Sequence, residues 1–183
     1  MRISLSGTPG TGKTSLALAF DPTRFTIIPM NDLSENYTTG RDEERESTEV
    51  DVDRMASDIA DGTLVLPTGE DSKDHLIIEG HMAHHLPLDI IIVLRTSTKT
   101  LRARLSDRGY QEEKVMENME AEAMGLITLE AFDTTRPLYE INTTDITPNE
   151  VMTRCEEIIR GESEPLGDLA DMIDFTEEIL EWY

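Results

Sequence analysis

The segment GTPGTGKT, Gly7 to Thr14, directly follows the apolar stretch Ile3-Ser4-Leu5-Ser6 and opens a helical pattern. It fits the phosphate-binding loop G-x-x-x-x-G-K-[ST] in the strand-to-helix setting that this loop requires. Gly7, Gly10 and Gly12 let the backbone turn its N–H groups onto phosphate oxygens, helped by the N-terminus of the following helix. In this pattern Lys13 reaches the terminal phosphates and Thr14 holds Mg²⁺. Gly10, Gly12, Lys13, Thr14 and Ser15, with Arg108 further along the chain, form the expected ATP-binding set.

The remaining pattern alternates strands and helices, which predicts an α/β fold with a parallel sheet. Strands are expected at Arg2 to Gly7, Thr26 to Met30, His75 to Gly80, Asp89 to Arg95 and Pro137 to Thr143. HLIIEG and DIIIVLR are continuous apolar runs, as in strands covered on both faces. Helices are expected at Lys13 to Phe20, Asp51 to Ala60, after a Ser97 or Thr98 cap, at Gln111 to Phe132, and from Pro148 through Ile159. Residues Glu35 to Val50 are polar and weakly patterned, and read as a mobile insert. Leu64-Val65-Leu66 can pair as a small strand. After Gly161 the chain is acidic, yet Leu169, Met172, Ile173, Ile179 and Leu180 recur near helical spacing. That predicts a helical extension over 161–183, docked on the body or on a partner.

A chain of 183 residues suits a single domain, 1–183, with a full core. No apolar run approaches the ~20 residues of a membrane span. The short apolar N-terminus leads straight into the glycine loop and does not read as a signal peptide. One cysteine, Cys155, lies at core spacing; it excludes an internal disulfide and fits a reducing cytoplasm. Against 16 Lys and Arg stand 38 Asp and Glu, a formal net charge of −22. Such a surface repels itself at low salt and suggests a high-salt, halophilic cytoplasm. It argues against unaided nucleic-acid binding, which needs cations on phosphates, and makes a basic protein partner electrostatically easier.

Ligands gather at the carboxyl ends of parallel strands, where Gly7, Met30, Glu79 and Arg95 lie. Glu79 is read as catalytic, supporting Mg²⁺ or positioning water. His81, two residues on, can position water or acceptor or act as acid or base. The run His81-Met82-Ala83-His84-His85 shows no second His/Cys pair, so His84 and His85 read as surface residues rather than a zinc site. Arg95, Arg102, Arg104 and Arg108 concentrate four of the chain's twelve arginines. Arg108 is expected to close over the transferring phosphoryl group, joined by Arg104 or Arg95. Arg102 reads more simply as a surface ion-pair partner. Asp32 caps a short helix or touches a second nucleotide, and Arg41 with Arg45 can clamp a monophosphate.

Taken in order, GTPGTGKT, Asn31-Asp32-Leu33, Asp51-Val52-Asp53-Arg54, HLIIEGH, VLRTST, LRARL and Asp107-Arg108-Gly109-Tyr110-Gln111 resemble blocks of the adenylate kinase isoenzyme 6 family, also called the coilin-interacting nuclear ATPase family. The resemblance spans residues 1 to about 160 and includes archaeal members. It implies a P-loop nucleoside monophosphate kinase fold: a five-stranded parallel sheet flanked by helices, a mobile monophosphate-binding segment at 30–53 holding Asp32 and Arg41, and a short lid at 107–117. It further implies Mg²⁺-dependent conversion of ATP and AMP to two ADP with broad nucleotide tolerance, ATP hydrolysis, and late maturation of the small ribosomal subunit on a pre-ribosomal particle with a basic ribosomal protein. A shikimate- or gluconate-type kinase of similar fold is the small-molecule rival. The family often has Asp where this chain has Glu79, and the lid lacks the cysteines of zinc-bearing lids.

Overall fold

The computed structural model describes residues 1–42, 47–67 and 74–182. Five strands form one parallel sheet: β1 (Arg2–Ser6), β2 (Phe25–Pro29), β5 (His75–Glu79), β6 (Ile90–Arg95) and β7 (Leu138–Asn142). Their order across the sheet is β2-β5-β1-β6-β7. β1 is therefore central, and the phosphate loop leaves the middle of the sheet. The alternation in β6 splits the core into two faces, as a strand buried on both sides demands. Ile90, Ile92 and Leu94 join Ile3, Leu5 and Ile141 beneath α1 (Lys13–Ala17) and α7 (Pro148–Ile159). Ile91 and Val93 point the other way, onto Ala131 of α6 (Leu126–Phe132). On that side Leu76 and Ile78 of β5 pack with Met55 and Ile59 of α3 (Val52–Ala60).

The caps of three helices follow from sequence. Asp51 accepts from the Arg54 amide, Ser97 from the Thr100 amide, and Thr147 with Glu150 forms a capping box around Pro148. α1 is shorter than its apolar pattern predicts. β2 begins one residue early, and the one-turn helix α2 (Met30–Leu33) follows it directly. The polar insert is more ordered than expected: β3 (Thr38–Asp42) and β4 (Ser47–Val50) pair antiparallel, Arg41 opposite Thr48. Leu64 to Leu66 forms no strand, although Leu66 is buried.

The long helix expected over 111–132 is two helices, α5 (Glu112–Ala123) and α6, broken at Gly125 with φ 63°. A β-carbon at Gly125 would lie 2.1 Å from Met172 Cε and 3.2 Å from Arg95 Nη1, so the chain turns where two other segments press on it. α4 (Thr98–Asp107) and α5 close a small core of Leu101, Leu105, Val115 and Met119.

Among its described residues the C-terminal segment contains no α-helix, only 3₁₀ turns at Leu169–Asp171 and Thr176–Glu181. It docks on the body of its own chain. The Leu166 amide donates to Leu138 O at the sheet edge, and the Ile173 amide donates to Glu140 Oε2 at 2.5 Å. Phe175 is buried against the Arg95 guanidinium. Glu178 accepts from the amide and hydroxyl of Thr98, at the N-terminus of α4, and Trp182 packs beside the α4–α5 core. Leu180 of the expected stripe is 82% exposed. Among the described residues no helix is long and apolar enough to cross a membrane.

Candidate active site

Every residue expected at the loop lies at the carboxyl end of the sheet. Gly7 has φ 147°, and a β-carbon there would sit 2.6 Å from both Leu94 O and Thr11 Oγ1, so only glycine lets the loop leave β1 against β6. Lys13 folds back over the loop, donating to Gly7 O at 2.6 Å and Thr8 O at 3.1 Å. Thr14 and Ser15 are exposed at the start of α1. Gly10, Gly12 and Ser15 border a cavity of about 260 Å³ whose other walls include Arg104, Arg108, Ile146 and Pro148.

The electrostatics converge on Lys13. Burial pushes its ammonium down to about 8; Glu79 and Glu122 pull it back up, and Arg108 adds to the lowering. Three groups of three different elements therefore act on one charge. Glu79 ends β5 in register with Leu5 of β1 and Pro29 of β2. His81 follows β5 in the next turn, with part of its surface exposed, and desolvation holds its imidazole below the usual range, followed by the charges of Lys13 and Lys114. Arg104 donates to Gly10 O at 3.2 Å and Thr143 O at 3.1 Å, and burial followed by the Arg108 charge lowers its guanidinium.

Arg95, Arg102 and Asp32, each a candidate in the sequence, separate in the fold. Arg95 does not face the phosphates: it is 1% exposed and bound to Glu122 at 2.9 Å, Glu140 at 2.5 Å and Glu122 O at 2.7 Å. Two buried carboxylates leave its charge no freedom to reach a ligand. Arg102 pairs with Glu112 on the surface, the simpler of its two readings. Asp32 is exposed in α2 and makes no side-chain cap. Met30 of the same turn lies against Gly80, which sets α2 beside the end of β5. Arg41 is exposed on β3, and Arg45 lies outside the described residues.

Two residues escape the sequence patterns. Glu122 is 2% exposed and accepts from Thr8 Oγ1 at 2.5 Å, Arg95 Nε at 2.9 Å and the Thr96 amide at 2.9 Å. The available signal was an acid on the same helical face as Val115, Met119 and Ala123, where a charge needs buried partners. Lys114, in the expected lid, acts on His81 from α5. That lid, 107–117, is the tight corner through Gly109 between α4 and α5 plus the first turns of α5. Cys155 is fully buried and its thiol is pushed up to about 12, which makes it inert.

Residues 3–125 match the family described as an AAA domain, from β1 to the glycine that ends α5. A protein of Natronomonas pharaonis named "Putative adenylate kinase" is 38% identical over 183 residues, covering 98% of this chain and 100% of its own. Proteins of the same name are 39% identical in Methanosarcina mazei, covering 87% of each chain, and 30% identical in Pyrococcus abyssi, covering 98% of this chain and 96% of that one. The chain belongs to this archaeal family. Family likeness at 98% coverage extends well into the C-terminal segment, where the sequence blocks above show no resemblance. Among solved structures, a deoxyadenosine kinase from M. mycoides with bound dATP superposes at TM-score 0.54 with 16% identity, covering 87% of this chain and 100% of that one. A shikimate kinase from Bacteroides thetaiotaomicron gives TM-score 0.54 with 19% identity, covering 87% and 98%. These likenesses establish a P-loop kinase fold for the family member described here.

Proposed function

We propose that the chain is an ATP-dependent nucleoside monophosphate kinase that converts ATP and AMP to two ADP. The observation that carries this reading is the Lys13 ammonium, turned onto the loop carbonyls Gly7 O and Thr8 O, its charge acted on by Glu79, Glu122 and Arg108. A buried cation with a lowered pKa gains most from an anionic ligand. The names of the archaeal relatives support adenylate as the acceptor.

Triphosphate lies along the loop, with the base in the cavity bordered by Arg104 and Ile146. The acceptor phosphate oxygen bonds to the γ-phosphorus as the bond to the β–γ bridging oxygen breaks. Lys13, Arg108 and Arg104 hold the charge that spreads over the transferring group. His81 positions the acceptor or a water, and Asp32 and Arg41 stand on the acceptor side beyond β2. Thr14 and Glu79 offer a hydroxyl and a carboxylate, the hard oxygen donors that Mg²⁺ takes. The ion neutralises phosphate charge when it arrives with ATP.

When water replaces the acceptor, the same arrangement hydrolyses ATP. A second reading, a nucleotide-controlled switch that docks on a basic small-subunit ribosomal protein in the pre-ribosomal particle, is favoured by the net charge of −22. The deciding assay is coupled ADP formation in high KCl. AMP-dependent production abolished by Lys13→Ala supports the kinase; ADP formation indifferent to AMP leaves only the switch.

A further inference from the structure

Away from the phosphate loop, one cluster of side chains carries a different donor chemistry. His84 and His85 stand together in the 3₁₀ turn Ala83–His85, their ring centroids 4.0 Å apart. Glu130 of α6 reaches them from 46 residues beyond His84, its Oε2 lying 3.0 Å from His84 Nε2 and 3.8 Å from His85 Nε2. One donor atom from each residue lies within 4.8 Å of the other two. An ion of the zinc type, with bonds of about 2.0–2.2 Å, holds tetrahedral donors roughly 3.3–3.5 Å apart. The two distances to the carboxylate bracket that spacing.

The frame behind these donors is built. Arg136 donates to His84 O at 2.7 Å and also to Leu86 O, gripping the carbonyls on either side of His85. Ala83, His84 and Leu86 are buried, and Ala131 next to Glu130 is buried in the sheet face. His85 and Glu130 are 38% and 42% exposed, which leaves an entry path and room for water ligands. A hydrogen bond between His84 and Glu130 accounts for the 3.0 Å contact alone. It does not account for a second imidazole, tilted 39° to the first, whose Nε2 lies 3.8 Å from the same oxygen. His84 Nδ1 is buried without a partner whether Nε2 carries a proton or a metal, so it does not weigh between the two.

We propose that His84, His85 and Glu130 form a tripod for a first-row divalent transition-metal ion of the zinc type, completed by water. Two imidazoles select such an ion over Mg²⁺. The site is therefore distinct in chemistry from the phosphate loop, and it does not rest on the kinase reading. A bound ion would bolt α6 to the turn that follows Glu79 and His81.

The test uses the untagged full chain, stripped with chelator and titrated with cobalt(II) in the absence of nucleotide. One equivalent should develop the intense visible absorption of tetrahedral cobalt, zinc should bleach it, and either ion should raise Tm. Glu130→Gln and His85→Ala should each weaken cobalt binding at least roughly tenfold. Both variants should keep the wild-type Tm in chelator, which separates metal loss from misfolding. The proposal is overturned if no cobalt spectrum develops at stoichiometric concentration. It is equally overturned if the variant carrying both changes binds cobalt as tightly as wild type.

Discussion

Thr8 of the phosphate loop donates its hydroxyl to the buried Glu122 carboxylate at 2.5 Å, and so hangs the loop on the same acid that neutralises Arg95. The two bonds have different costs when broken. Thr8→Val removes one hydrogen bond and leaves the ion pairs whole, an expected loss of about 1–2 kcal/mol. Glu122→Gln strips a buried guanidinium of one counter-charge, an expected loss of about 3–5 kcal/mol. Urea unfolding of both variants measures the difference; equal losses would show that the loop contact, not the ion pair, dominates.

Lys13 carries a pH signature. Its ammonium titrates at about 8 in the free protein, below its ordinary 10.5, and phosphates raise it. ATP binding therefore takes up a proton near pH 8, and affinity falls as pH rises beyond it, by up to about tenfold per unit. Calorimetry in buffers of different ionisation enthalpy detects that proton. The sign for stability is opposite: the buried charge costs most below pH 8, and the cost fades as pH climbs toward 10.5. Lys13→Met is expected to raise the Tm of the nucleotide-free protein at pH 7 while ending ATP binding. An unchanged or lower Tm refutes the assignment of that cost.

Gly125 and Gly161 form a matched pair for testing the helix break. Both have positive φ, 63° and 72°, but a β-carbon meets Met172 and Arg95 at Gly125 and nothing within 4 Å at Gly161. Gly161→Ala should lose only the left-handed strain of about 1–2 kcal/mol. Gly125→Ala should lose more and also release the segment around Met172, read as faster proteolysis between residues 165 and 182. Equal proteolysis of the two variants would mean that Gly125 does not hold the segment.

Charge predicts a salt response. At −22 the chain repels itself, and raising KCl from about 0.1 to 1 M shortens the screening length from about 10 to 3 Å. Tm should climb over that range and then level. A flat melting curve series would show that self-repulsion does not limit this fold.

What was legible in the sequence shares a property: the signal was local. GTPGTGKT names its own geometry, and the runs in β5 and β6 announce burial on both faces without reference to any other residue. The β3–β4 hairpin was illegible because its strands are joined by backbone bonds, with little apolar alternation in Thr38 to Asp42 or Ser47 to Val50. Gly125 sits inside an otherwise continuous helical pattern, and the residues that explain its break, Arg95 and Met172, are remote in sequence. Arg95 illustrates the same limit at the site. Its position at a strand end matched a phosphate ligand, and only Glu122 and Glu140, on other elements, show that its charge is already engaged. The His84 to Glu130 contact likewise joins residues that no spacing rule connects.

The docked C-terminal segment has one further consequence. Its Trp182 is the only tryptophan in the chain, and its indole N–H donates to Thr98 Oγ1 at 3.2 Å beside Leu101, Leu105, Val115 and Met119. The molecule thus carries an intrinsic fluorophore at the joint between the segment and the two helices that bear Arg104 and Lys114 and flank Arg108. Its emission reports, without any label, whether nucleotide at one end of α4 is felt at the other.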